Sequence, residues 1–177
     1  MRVIAGAFRG ATLHAPRGRE TRPTSDRVRE ALFSILGSVQ GARVLDLFAG
    51  SGALAFEALS RGAAEATLID TSAAAIAAIR RNATALGVEA EVRKIPATSF
   101  LRQARDRSRQ YDLVFLDPPY RHASTLGSQL ATALEAVLAP EARVVAESDR
   151  RDPLNLSLPL ITDRHYGDTL ISIHGSS

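Results

Sequence analysis

From residue 43 onward, short apolar runs alternate with stretches whose apolar residues recur three and four apart. Arg43–Leu47, Ala66–Ile69, Val88–Val92, Leu113–Leu116 and Val144–Glu147 read as short buried strands. Between them, Ala53–Ser60, Ala73–Leu86, Thr98–Asp106 and Leu126–Leu138 show the spacing of one helix face, and Gly87 closes the second of these. Strands alternating with amphipathic helices predict an α/β fold: a mostly parallel sheet, helices on both faces, right-handed crossovers. Two β-rich pieces, Leu158–His165 and Thr169–His174, flank Gly167-Asp168 and predict an antiparallel hairpin that completes seven strands.

Ahead of this core, Arg2–Ala5 and Ala11–His14 flank a turn from Gly6 to Gly10 and predict a small hairpin. A loop rich in glycine, proline and arginine follows. Thr24 or Ser25 then caps a helix whose predicted apolar face is Val28, Ala31, Leu32, Ile35 and Leu36, ending near Gly37. Residues 1–39 are expected to form an N-terminal extension and residues 40–177 the main domain. No internal repeat or linker divides that domain.

Composition narrows the function classes. The chain has 177 residues, 45% hydrophobic and 23% charged, which suits one domain with a substantial core. No apolar run approaches the ~18–20 residues that span a bilayer, and the N-terminus lacks a signal-peptide core. The absence of cysteine excludes a disulfide framework and a thiolate metal site, and the four histidines show no ligand spacing. A cytoplasmic monomer without metal or membrane partner is the expectation. Net charge is +3, unevenly distributed. Arg2, Arg9, Arg17, Arg19, Arg22, Arg27 and Arg29 face only Glu20 and Asp26 within residues 1–29, which suggests a phosphate-bearing polyanion partner. A merely solvated segment is the alternative.

Val44-Leu45-Asp46-Leu47-Phe48-Ala49-Gly50-Ser51-Gly52 is a strand running into a glycine turn and then a helix. Such a turn lets a ligand approach the backbone closely, or serves simply as a strand-to-helix connection. Asp46 argues against a pyrophosphate, which a carboxylate would repel, and for a ligand with a cationic amine. Asp70 ends the next strand, where it can accept both hydroxyls of a ribose or cap the following helix. Amine plus ribose without phosphate describes S-adenosylmethionine. After Leu116, Asp117-Pro118-Pro119-Tyr120 forms a stiff loop presenting a carboxylate, bare carbonyls and an aromatic ring. It fits a planar base carrying an amino group, or an ordinary proline-rich turn. Phe48 either walls the same pocket or packs beneath the glycine turn.

In this order, the Asp46–Gly52 turn, Asp70 and Asp117–Tyr120 resemble a Rossmann-like class I methyltransferase of the amino-methylating kind. Arg2-Val3-Ile4-Ala5-Gly6, Arg9-Gly10, the stretch Thr21-Arg22-Pro23-Thr24-Ser25-Asp26-Arg27-Val28-Arg29-Glu30-Ala31-Leu32-Phe33 and Tyr166-Gly167-Asp168-Thr169 narrow the likeness. They resemble the bacterial small-subunit ribosomal RNA guanine-N2 methyltransferases of the RsmD type, from about residue 1 to residue 174. The resemblance implies that Asp46, Phe48, Ala49, Gly50, Ser51 and Gly52 hold the methionine end of S-adenosylmethionine. Asp70 would take the ribose and Thr71 lie beside the adenine. Arg22-Pro23-Thr24 would pack over the methionine carboxylate at the substrate entrance. Pro96 stands where the family offers asparagine or aspartate, which leaves the backbone N–H of Ala97 for the adenine. The implied substrate is a guanosine of 16S rRNA, within a partly assembled small ribosomal subunit. Asp117 and Pro118 would accept the amino protons, with Pro119 holding the loop and Tyr120 stacking on the base. Arg2, Arg9, Arg17, Arg19, Arg22 and Arg27 would hold RNA phosphates.

Several rivals remain at this point. A protein glutamine methyltransferase poses the same chemical problem but usually places asparagine at 117. DNA adenine methylation needs a sequence-reading region for which 177 residues leave little room. An NAD-dependent oxidoreductase conflicts with Asp46. A non-catalytic RNA-binding assembly factor would be expected to have lost Asp46 or Asp117.

Overall fold

Seven strands pair in the order β3-β2-β1-β4-β5-β7-β6. The computed structural model describes residues 1–16, 25–118 and 123–176. Along the chain the elements are α1 (Asp26–Leu36), β1 (Arg43–Asp46), α2 (Ala53–Ser60), β2 (Glu65–Asp70), α3 (Ala73–Leu86), β3 (Glu91–Lys94) and α4 (Ala97–Asp106). There follow β4 (Tyr111–Leu116), α5 (Ala123–Glu135), β5 (Leu138–Asp149), β6 (Leu160–Tyr166) and β7 (Thr169–Gly175). Strands β1 to β5 pair in parallel, and β7 runs antiparallel between β5 and β6. Winding reverses between β1 and β4, which opens a crevice at their carboxyl ends.

Both faces of the sheet are covered, so the central strands are apolar on both sides. Val44, Leu68, Phe115 and Val145 meet the N-terminal hairpin, α1, α2 and α3 through Leu13, Leu32, Phe33, Phe56 and Ile79. On the other face, Leu45, Ile69, Val114 and Leu116 meet α4 and α5 through Phe100, Leu101, Leu130 and Leu134.

The structure shifts several predicted boundaries. Strand β3 begins at Glu91, not Val88. Val88 N–H turns back to Ala83 O (3.1 Å) while Gly87 N–H reaches Thr84 O (3.1 Å), so these donors close α3 and do not join the sheet. Leu138 belongs to β5, not to the preceding helix, because it pairs with Tyr111 across the sheet. Strand β5 then extends to Asp149 through an irregularity where Glu141 takes φ 61°. Leu158 precedes β6 and is buried in the core with Leu154 and Leu156. Ser25, not Thr24, is the α1 cap, accepting from Val28 N–H at 3.3 Å.

The inward face of α1 also differs. Arg29, Leu32, Phe33 and Leu36 are buried, whereas Ile35 is 39% exposed. Phe33 turns the helix: its ring lies 6.0 Å from that of Phe115 and beneath the Arg61 guanidinium. Arg29 is fully buried, so it leaves the set of phosphate-facing arginines. It donates to Asp26 at 2.8 Å and to Arg2 O at 2.6 Å.

The predicted N-terminal hairpin is a narrow one, with a single bridge between Arg2 and Thr12. It is bound tightly to α2. Buried Glu57 accepts from Ile4 N–H (2.7 Å) and Ala5 N–H (3.1 Å), and Ser60 Oγ accepts from Phe8 N–H (2.9 Å). Gly6, at φ 84°, lies so close that a Cβ there would sit 1.7 Å from Ser60 O. Only glycine permits this approach.

Candidate active site

The carboxyl ends of β2, β1 and β4 lie side by side, and each leads into a residue singled out by its chemistry. Asp46 ends β1 level with Leu68 of β2 and Phe115 of β4. Asp70 ends β2 two residues beyond Leu68, and Asp117 lies two residues beyond Phe115. Three acidic residues therefore stand at neighbouring strand ends beside the crevice.

The glycine turn crosses the strand ends and is tied to both neighbours. Leu47 N–H reaches Phe115 O (3.2 Å), Ala49 N–H reaches Ile69 O (2.9 Å), and Gly52 N–H closes onto Ala49 O (2.6 Å). Gly50 and Gly52 both have positive φ, at 56° and 81°. Their surroundings are opposite. A Cβ at Gly50 meets nothing within 4 Å, whereas at Gly52 it would lie 2.5 Å from the Phe56 ring and 2.8 Å from Leu68. Gly52 faces the core; Gly50 leaves a backbone surface that a ligand can approach.

Asp46 is 3% exposed, and burial raises its pKa to about 7, with the Phe48 N–H opposing and the Asp70 charge adding to the rise. A cationic amine placed beside it would relieve this cost. Asp70 is buried too, accepting from Gly50 N–H at 3.0 Å and Ser72 N–H at 2.8 Å. The α3 cap is Ser72, whose Oγ accepts from Ala75 N–H. Thr71, just beyond, is exposed.

Ala97 begins α4 close to the carboxyl end of β3, beside β2, and its cap residue Pro96 makes no side-chain bond. Phe48 is half-buried and packs on the α4–α5 face of the core beneath the turn. Ser51 and Ala49 are buried. Asp117 is half-buried and Pro118 buried. Arg2, Arg9 and Arg27 are at the surface. Pro119, Tyr120, Arg17, Arg19, Arg22 and Thr24 lie outside the described residues.

Two further polar residues belong to this region, and neither stands out in the sequence. Asn82, fully buried on α3, donates to Ser51 O at 2.9 Å and so holds the glycine turn. Its place on the stripe Ala75-Ile76-Ile79 was the available signal, a polar residue at an apolar position. Glu147, 7% exposed, follows Ala146, the partner of Leu116, and is therefore level with Asp117 on the adjacent strand. Asp70, Asp117 and Glu147 all have polar or charged contacts.

An open cavity of about 920 Å³ lies elsewhere, at the amino ends of β2 and β3, lined by Glu65, Thr67, Arg80, Glu91 and Arg109. Chemistry does not favour it. Arg109 already pairs with Glu91 at 2.7 Å and donates to Thr67. Among the described residues, no three His, Asp or Glu side chains gather as a metal site. No described helix is long and apolar enough to cross a membrane.

The model of the family described as Conserved hypothetical protein 95 matches residues 1–175. Ribosomal RNA small subunit methyltransferase D of Escherichia coli (strain K12) is 43% identical over 153 residues, covering 84% of this chain and 75% of that protein. YlbH of Bacillus subtilis (strain 168), assigned as an rRNA methyltransferase, is 36% identical over 182 residues, covering 98% of each. The solved structure of Escherichia coli yhhF, assigned as a methyltransferase, matches with a TM-score of 0.86 at 36% identity, covering 100% of this chain and 98% of that one. The Rossmann-like methyltransferase architecture expected from the sequence is thus the one the chain adopts. Likeness of this length and degree makes the chain a member of the Conserved hypothetical protein 95 family, to which the RsmD-type methyltransferases belong.

Proposed function

We propose that the protein transfers a methyl group from S-adenosylmethionine to the exocyclic N2 of a guanosine in 16S rRNA. One observation carries this reading: a buried carboxylate with no cationic partner among the described residues, Asp46, lies beneath an open glycine turn and one strand from Asp117. The names of the relatives point to ribosomal RNA as the methyl acceptor. The working location would be the cytoplasm, the acting form a monomer, and the substrate a partly assembled small subunit. Residues 1–39 would bind RNA and cover the cofactor, leaving residues 40–177 as the methyltransferase domain.

S-adenosylmethionine supplies a methyl group on a positively charged sulfur. Asp46 would face its ammonium group, with Phe48, Ala49, Gly50, Ser51 and Gly52 shaping the turn around the methionine end. Asp70 would accept the ribose hydroxyls. Thr71 and the Ala97 N–H would border the adenine, and Thr24 the methionine carboxylate. Guanine N2 is a poor nucleophile because its lone pair is delocalised into the ring. Asp117 and the Pro118 carbonyl would accept hydrogen bonds from its two N–H groups, aim the lone pair at the methyl group and stabilise charge developing on nitrogen, and the proton shed after transfer would pass to Asp117 or to water. Pro119 would stiffen the loop and Tyr120 stack on the base, worth roughly 1–3 kcal/mol. Arg2, Arg9, Arg17, Arg19, Arg22 and Arg27 would neutralise RNA phosphates.

The test is incubation with tritiated S-adenosylmethionine and undermethylated small subunits, followed by nucleoside mapping. Label is expected in N2-methylguanosine; label confined to protein overturns the reading.

A further inference from the structure

Ser51 of the glycine turn is reached from both strands of the N-terminal hairpin. On one side its Oγ donates to Met1 Sδ at 3.4 Å. On the other, Asn82 bridges it to His14: Nδ2 donates to Ser51 O at 2.9 Å and to His14 O at 3.0 Å, while Oδ1 accepts from His14 N–H at 2.8 Å. Both donors of one fully buried amide are thus engaged, and its grip on the N–H and C=O of a single residue copies a strand partner. The hairpin is closed across these contacts by Leu13 N–H to Met1 O at 2.9 Å. Its far end is fixed through Glu57 and Ser60 to α2, the helix that starts from Gly52 of the same turn. His14 lies three residues before Arg17, the first arginine of the stretch proposed to hold RNA.

We infer that Asn82 is a positioning residue that couples the two substrates. Through it, RNA drawn against the arginine-rich stretch steadies the Ser51 peptide, and with it the cofactor turn. The bridge is short: one side chain joins the backbone leading into the RNA segment to the backbone that cradles the methionine end. By linkage the effect is reciprocal, so bound cofactor tightens RNA by the same factor that RNA tightens cofactor. Asn82 touches neither reactant in this scheme; it acts through Ser51 and His14. The inference rests on the proposed RNA methylation.

The test is binding of S-adenosylhomocysteine with and without saturating undermethylated small subunits. In the unaltered protein its Kd should fall at least about fivefold when subunits are present. Asn82→Asp keeps the acceptor for His14 N–H but loses both donors, and should bring that factor to within about twofold of unity. At saturating RNA it should raise the cofactor KM by the lost coupling factor, about fivefold, and leave kcat within about twofold, a split that general loosening of the core would not give. His14→Pro removes the N–H that Asn82 accepts, leaves Asn82 in place and should weaken the coupling in the same direction, which keeps the test decisive if Asn82→Asp folds poorly. Coupling absent from the unaltered protein, or retained in His14→Pro, overturns the inference. Failure to label any RNA instead overturns the functional reading, so the two outcomes are distinct.

Discussion

The two ends of the sheet handle charge in opposite ways. At the amino end, Arg43 grips Asp112 with two bonds of 2.9 Å, and Arg109 holds Glu91 at 2.7 Å. The bond to Arg43 keeps the Asp112 carboxyl below its ordinary pKa. At the carboxyl end, Asp46 is buried beside Asp70 without a cation among the described residues, and its pKa is pushed up to about 7. One end spends its charges on each other; the other holds a charge in reserve. The cavity of about 920 Å³ is at the satisfied end and the proposed chemistry at the other. An acid raised by burial, unlike one held down by a paired cation, marks the proposed site.

That contrast can be broken in three places. Asp117→Ala should have the largest effect, lowering methyl transfer by at least about a thousandfold while S-adenosylhomocysteine affinity stays within about threefold. Substantial residual turnover would detach Asp117 from the reaction. Asp46→Asn should weaken cofactor binding by more than about tenfold and yet stabilise the folded protein by a few kcal/mol at pH 8, read from denaturant unfolding. The gain has a defined pH window. The raised folded pKa means the native protein holds its proton longer than the unfolded chain, so the carboxylate's cost develops between about pH 4 and 7. Near pH 4 the variant should show no advantage. Cofactor affinity should meanwhile fall as pH drops from 8 to 6 in the unaltered protein, because the amine-binding form is the ionised one. Asp112→Ala should have the smallest effect. With side chains 40% and 36% exposed, the Arg43–Asp112 pair is worth up to about 1 kcal/mol, and activity should stay within about twofold. A large loss of turnover would mean the two ends are not separable.

The sequence showed the sheet, its helices and the acids at the strand ends because each depends on near neighbours: periodicity, a glycine turn, a proline after a strand. It did not show how Arg29, Glu57 and Asn82 are used. These are polar side chains within apolar stripes, and their partners are backbone groups 27, 52 and 68 residues away. No local pattern encodes such a pairing. Arg29 consequently read as one more surface cation, although the fold takes it inside. Val88 shows the same limit in reverse: its apolar side chain fits a strand, but its N–H is committed to a helix end. Glu147 became visible only through register, since its place beside Asp117 depends on which strands pair.

The order β5-β7-β6 has a consequence for synthesis. The strand nearest the C-terminus, Thr169–Gly175, is interior, bonded to β5 on one side and β6 on the other. Until those residues have left the ribosome, β5 keeps an open edge and β6 has nothing to pair with. The nascent chain therefore carries an unpaired apolar edge from the emergence of β5 until β7 follows, and this end of the sheet closes late, as one event.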